Sequence, residues 1–180
     1  MNHDDHVNLL RAGVPTAGGV WADFGSGTGA FTLALADLIG ADGVIYAIDR
    51  DAAALNEQRR AMHSRFPAVQ HHTINADFTR PLELPPLDGI VMANALHFVR
   101  EKDAVLVRLR GYLKSGARLL MVEYNVDRGN TWVPYPFSYT TWAALAGKHG
   151  FTDTRLLATR PSRFLGEIYS AISLNGDRPA

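Results

Sequence analysis

The sequence predicts an α/β fold: a doubly wound, mostly parallel sheet that closes with an antiparallel C-terminal hairpin strand. Three observations predict it. Short β-branched runs alternate with segments of helical periodicity, the pattern of right-handed strand–helix–strand crossovers. The first strand runs directly into a glycine-rich turn, VWADFGSGTGAF, that opens a helix. The last two strand-like runs lie only five residues apart. That gap is too short for a crossover, so the final pair is antiparallel.

Taken in order, residues 1–19 are polar, then Gly- and Pro-containing, and read as a short helix or flexible arm closed by Gly18-Gly19. Val20–Phe24 is an apolar strand. Ala30–Ile39 carries apolar residues at helical spacing and stops near Gly40. Val44–Ile48 is a β-branched, buried type of strand ending in Asp49. Asp51 caps the next helix, Ala52–Phe66, which must end before Pro67. Val69–Ile74 is the third strand, and the Pro-rich FTRPLELPPL is loop. Gly89–Ala93 is the fourth strand. Glu101–Leu113 is a helix with an apolar stripe at Val105, Leu106, Leu109 and Leu113. Arg118–Glu123 is the fifth strand. An aromatic, Pro-containing segment, Asn125–Phe137, leads to a helix over Tyr139–Lys148. Arg155–Ala158 and Phe164–Ser173 form the closing hairpin.

A chain of 180 residues supports one well-sized core and not two. Apolar residues make up 47% and charged residues 20%, an ordinary globular composition. Lys+Arg and Asp+Glu are both 18, so no basic field favours a polyanion; nucleic acid is not an expected partner. There are no cysteines, which excludes disulfides, thiolate nucleophiles and Cys-built zinc sites. His71 and His72 point to opposite faces of one strand, so no shared metal site is expected. The N-terminus has no signal-peptide core, and no apolar run approaches a membrane span. A cytoplasmic protein with no membrane partner is the default expectation.

The glycine-rich turn carries the chemistry. Asp23 stands two residues before Gly25, and Gly27 and Gly29 follow. Glycine is needed where backbone takes positive φ or approaches a ligand, and this turn lies at the carboxyl edge where open α/β sheets bind ligands. The spacing is G-x-G-x-G and not the G-x-G-x-x-G dinucleotide fingerprint. The second strand ends in Asp49, twenty positions after Gly29, where a carboxylate can accept from a ribose diol. Asp77 follows the third strand, and ANALHF ends the fourth.

This series resembles the class I S-adenosylmethionine-dependent methyltransferases, in particular the small bacterial type with a methyltransferase domain and little else. The resemblance runs from about residue 18 to residue 175. It implies a seven-stranded Rossmann-like methyltransferase fold over residues 20–180, behind the 1–19 arm. It also implies a transferase that uses S-adenosylmethionine and releases S-adenosylhomocysteine. By resemblance, Asp23, Gly25, Gly27 and Gly29 approach the methionine part, and Asp49 holds the ribose. Asp77 accepts from the adenine amino group, with the Phe78 backbone N–H at the ring. Asn94 and Ala95 line the methionine end. Arg50 departs from the apolar residue usual after the ribose acid; its guanidinium either stacks on adenine or faces solvent. No N/D-P-P-Y/F motif follows the fourth strand, which argues against methylation of a DNA base or a protein amide.

On the acceptor side, His97 and Glu123 are the candidate general bases. The alternative is a structural bond, which for His97 is the favoured reading. Tyr124, Trp132 and Tyr135 are candidate acceptor contacts, and the aromatic segment is as readily core as pocket wall. Arg160, Arg163 and the sequence TRPSR read as a solvated turn. A small-molecule acceptor is expected, and a homodimer is one arrangement the sequence leaves open. Two rivals are a nicotinamide-dependent oxidoreductase and a non-catalytic module that binds the cofactor or its product and acts through a partner.

Overall fold

A computed structural model describes residues 1–176; the last four positions of the expected 20–180 domain lie outside the described residues. The chain runs α1 (His3–Arg11), β1 (Gly19–Phe24), α2 (Ala30–Ile39), β2 (Gly43–Asp49), α3 (Ala52–Arg65) and β3 (Gln70–Asn75). It continues through β4 (Leu87–Ala93), a 3-10 turn at Leu96–Phe98, α4 (Asp103–Tyr112) and β5 (Leu113–Tyr124). Then come α5 (Tyr139–Lys148), β6 (Phe151–Ser162) and β7 (Gly166–Asn175).

The seven strands form one sheet in the order β3-β2-β1-β4-β5-β7-β6. β1 pairs in parallel with both β2 and β4, so the winding direction reverses between β1 and β4. Their carboxyl ends splay the following loops apart, which opens a crevice at that switch point. β7 runs antiparallel to β6, as the short hairpin gap requires, and antiparallel to β5 as well.

Strand alternation sends neighbouring side chains to opposite faces. Ala22 and Phe24 pack with Val105, Leu106 and Leu109 of α4 and Trp142 of α5. Trp21 packs with Leu9 and Leu10 of α1 and with Leu35 and Ile39 of α2. Helices thus cover both faces, and burial of these apolar stripes supplies the main favourable free energy.

The N-terminal segment is a helix fixed at its start by a capping box. Asn2 Oδ1 accepts from the Asp5 N–H at 2.9 Å, and Asp5 Oδ2 accepts from the Asn2 N–H at 3.0 Å. Val7, Leu9 and Leu10 are buried, and Arg160 of β6 pairs with Asp5 at 2.7 Å. α1 is therefore packed on the domain.

Most boundaries shift by one or two residues from expectation, and those of α4, β5 and β6 have a clear tertiary cause. α4 spans Asp103–Tyr112, because Leu113 turns extended and pairs with Leu87 as the first residue of β5. β5 is accordingly longer than Arg118–Glu123. β6 reaches from Phe151 to Ser162, so Arg160-Pro161-Ser162 is paired strand and not a solvated turn. Pro161 is tolerated because β6 is the edge strand. No helix among the described residues is long and apolar enough to cross a membrane.

Candidate functional site

Each of the three turn glycines has its own local reason. Gly25 sits at φ 77°, and a Cβ there would stand 2.5 Å from Ala95 Cβ. The β1 turn can therefore lie close against the end of β4 only with glycine. Gly29, at φ 94°, caps α2; a Cβ there would meet Gln58 Cγ of α3 at 2.5 Å. Its constraint is helix packing. A Cβ on Gly27 would meet nothing within 4 Å, so this residue faces open space.

The turn divides two adjoining clefts that share Gly25 and Asn94. The larger, of about 300 Å³, is walled by Asp49, Arg50, Asp77, Phe78, Ala95 and Phe98. Asp49 Oδ2 accepts the Gly27 N–H at 2.8 Å, and Oδ1 accepts the Asp51 N–H at 2.9 Å. Each oxygen keeps a second lone pair, so a fixed, charged acceptor pair faces the cleft. Asp77 Oδ1 accepts from both the backbone N–H and the hydroxyl of Thr79, at 2.8 and 2.7 Å. Those bonds hold the Asp77 carboxyl below the usual range, with Arg80 and Arg50 adding to the effect. Arg50 is exposed at the cleft wall.

Asn94 lies where the two clefts meet. It takes a left-handed conformation at φ 50°, unusual for a residue with a side chain. Its N–H donates to Val122 O at 2.8 Å, which ties the end of β4 to β5. Its Oδ1 is buried without a hydrogen-bond partner among the described residues. Such an atom carries a desolvation cost of about 1–3 kcal/mol that a donor in the cleft would relieve.

The second cleft, of about 240 Å³, lies over the glycine turn and includes Asp23, Ser26, Thr28 and Phe31, with His6 from α1 above. Asp23 is 1% exposed. Burial raises its carboxyl to about 7, the Thr32 hydroxyl bond opposing and Asp49 adding. Thr32 Oγ1 donates to Asp23 Oδ2 at 2.6 Å and in turn accepts from Gln58 Nε2. Sequence reasoning missed Thr32, Gln58 and Thr79; it reached Phe98 only as the end of the Asn94–Phe98 turn and His6 only as part of the N-terminal arm, both expected as walls of the acceptor site. Only the D-F-T spacing of Asp77 and Thr79, a local side-chain turn, was readable in advance.

His97 and Glu123 do meet: His97 Nδ1 is 2.7 Å from Glu123 Oε2, and the His97 N–H donates to Glu123 Oε1 at 3.2 Å. They are 2% and 0% exposed, and neither lines the two clefts. Their bonds tie the 3-10 turn that follows Asn94 and Ala95 to the end of β5. Tyr124 is half-buried with its ring 6.3 Å from that of His97; burial and the Glu123 charge raise its hydroxyl pKa. Tyr135 donates its N–H to His97 O, and its own carbonyl accepts from Lys102 Nζ. Its side chain is 40% exposed, and that of Trp132 is 74% exposed. Neither borders the clefts, whereas Phe137 of the same segment and Trp142 of α5 are core.

A sequence profile of the methyltransferase domain matches residues 22–119. The arsenite methyltransferase of Aquipseudomonas alcaligenes is 28% identical over 193 residues, covering 88% of this chain and 55% of that protein. The chain thus spans about half the length of that relative. The YcgJ protein of Bacillus subtilis superposes with a TM-score of 0.78 at 10% identity, covering 98% of this chain and all of that one. The 1,6-didemethyltoxoflavin-N1-methyltransferase of Burkholderia thailandensis superposes at 0.75 with 17% identity, over 97% of this chain and 78% of that one. At such identities the structural likeness shows the fold alone.

Proposed function

The chain belongs to the methyltransferase-domain family, and from that premise we propose that it transfers the methyl group of S-adenosylmethionine to a small-molecule acceptor. The observation that carries this is the pair of clefts joined at Gly25 and Asn94. One presents fixed carboxylates suited to a ribose and an adenine edge. The other presents the buried Asp23 where an amino-acid ammonium would lie. The unpartnered Asn94 Oδ1 between them fits a ligand that donates a hydrogen bond there.

When bound, S-adenosylmethionine supplies a sulfonium-activated methyl group. Asp49 accepts from the ribose hydroxyls, and Asp77 from the adenine amino group beside Phe78. Arg50 lies at the outer wall, placed to cover the ring with its planar guanidinium. Asp23 and Asn94 fix the amino-acid end, Gly25 and Ala95 allowing its close approach. The chain's main catalytic contribution is to place the acceptor atom in line with the methyl–sulfur bond. Because His97 and Glu123 are buried off the clefts, an acceptor atom with a free lone pair is favoured over one that must first lose a proton. Tyr124, Trp132 and Tyr135 lie outside the clefts, and a role for them requires the acceptor to extend over the rim.

The charge balance favours a small molecule over a nucleic acid. Arsenite, the acceptor in the relative's name, fits poorly. Trivalent arsenic seeks soft thiolates, and the 180 residues hold no cysteine. The test is a methyl-labelled S-adenosylmethionine incubation with a metabolite library and with DNA and RNA. Label in a small molecule is expected. Label on nucleic acid alone overturns the acceptor class. Tight binding of S-adenosylhomocysteine with no transfer to any acceptor favours the non-catalytic module.

A further inference from the structure

The second cleft poses a problem of charge that the methionine end of the donor makes explicit. An amino-acid end carries an ammonium and a carboxylate. Asp23 answers the ammonium. Besides Asp23, the charged or titratable groups at that cleft are the His6 ring and the N-terminal ammonium of Met1; Met1 is 54% exposed, whereas His6 is half-buried and held by its helix. Ser26 and Thr28 supply neutral hydroxyls. On the reading above that this is the donor site, we propose that His6 of α1 binds the donor's amino-acid carboxylate, so that α1 forms part of the cofactor site.

Several independent features hold His6 there. The capping box fixes the first turn of α1. The Arg160–Asp5 ion pair ties the helix to β6 one residue before His6. Val7, Leu9 and Leu10 are buried against α2 and the sheet, and Leu9 and Leu10, one turn on from His6, anchor the face of the helix that carries it. The His6 ring rests 4.7 Å from that of Phe31, which itself lines the cleft in the first turn of α2. A ring held against Phe31 is pre-oriented, so little side-chain entropy is lost when it engages a ligand.

Burial lowers the His6 pKa, the chain's N-terminal ammonium and His3 add to that, and Asp5 opposes it. The ligand-free site is thus held toward the neutral imidazole, and an arriving carboxylate reverses the balance by favouring the protonated, donating form. The first turn of α2, whose Ala30 and Phe31 line the same cleft, is the positive end of a helix and favours an anion as well. Asp23 and His6 together recognise a zwitterion with one group for each charge.

Decarboxylated S-adenosylmethionine isolates the interaction, because it keeps adenosine, sulfonium and ammonium and lacks only the carboxylate. Equilibrium binding is measured by calorimetry for both compounds on wild type, His6→Ala and His6→Gln. Wild type is expected to favour S-adenosylmethionine by about tenfold or more, the scale of a charge-assisted hydrogen bond. In His6→Ala that preference should fall close to one, with affinity for the decarboxylated compound nearly unchanged. His6→Gln keeps a neutral donor and should retain an intermediate preference. It also serves as the reporter if the alanine variant fails to fold. An undiminished preference in folded variants overturns the role of His6. Wild type that binds both compounds equally also overturns it while sparing the donor site. Wild type that binds neither overturns the donor-site reading itself.

Discussion

Replacing Asp23 with asparagine tests the buried wall of the proposed donor site from two directions at once. Asp23 is 1% exposed at the edge of the second cleft, and burial, the largest cause, raises its carboxyl from an ordinary 3.8 to about 7. A raised value means the folded chain holds a proton that the unfolded chain has released. The group therefore contributes its full stability below pH 4 and loses it progressively as pH rises to about 7. At 1.36 kcal/mol for each tenfold, the difference approaches about 4 kcal/mol, a ceiling because the residue borders a wettable cleft. Asparagine preserves shape and can accept the Thr32 hydroxyl without carrying charge. Unfolding by urea, followed by circular dichroism across pH 4 to 8, should give near-coincident stabilities at the acid end. The variant should become the more stable by up to about 4 kcal/mol at pH 8. The same variant should bind S-adenosylhomocysteine at least about tenfold more weakly at pH 8, having lost the charge that faces the ammonium. Parallel pH profiles for the two proteins would refute the claim that an ionisation cost is stored at Asp23 for the ligand.

Three further perturbations probe other parts of the site. Asp49→Ala should stay folded and lose about 1.5–3 kcal/mol of S-adenosylhomocysteine binding by calorimetry, the range for hydrogen bonds to a charge; unchanged affinity in a folded variant excludes Asp49 as the ribose ligand. Gly25→Ala forces a Cβ to within 2.5 Å of Ala95 Cβ at φ 77°. It should lower stability by about 1–3 kcal/mol and weaken binding, and an unaltered melting temperature would contradict the close packing of the two turns. Glu123→Gln removes the charged acceptor of His97 Nδ1 and should cost about 1.5–3 kcal/mol in urea unfolding, with donor affinity falling as the Asn94 turn loosens. Lost turnover with stability and affinity intact would instead assign the pair to proton transfer.

The elements whose signals are local were legible in the sequence. α2 and α5 match their expected limits, because each has an apolar stripe with a stop or cap at its end: Gly40 after α2, and Ser138 accepting from the Thr141 N–H before α5. The carboxylates of the larger cleft were legible because strand ends in a parallel sheet converge on one edge, which places Asp49 and Asp77 without knowledge of any contact. What stayed hidden depends on tertiary pairing. The start of β5 is set by Leu87 across the sheet and the length of β6 by β7, and neither leaves a periodic trace in its own segment. The Asp23–Thr32–Gln58 chain joins residues 9 and 26 positions apart, so spacing could not reveal it. His6 was legible only as part of an arm. Its position over the glycine turn follows from how α1 docks. The aromatics after β5 show the converse: one composition supplied buried Phe137 and Trp142 and exposed Trp132 and Tyr135, and composition alone does not divide them.

Calorimetric titration of the wild-type protein with S-adenosylhomocysteine, and separately with NAD, tests the assignment of the paired clefts most directly. The clefts as described should take up one S-adenosylhomocysteine per chain and give no heat with NAD, whose second nucleotide has no phosphate-binding G-x-G-x-x-G turn to meet. Binding of NAD, or no binding of S-adenosylhomocysteine to a protein shown to be folded, would contradict it.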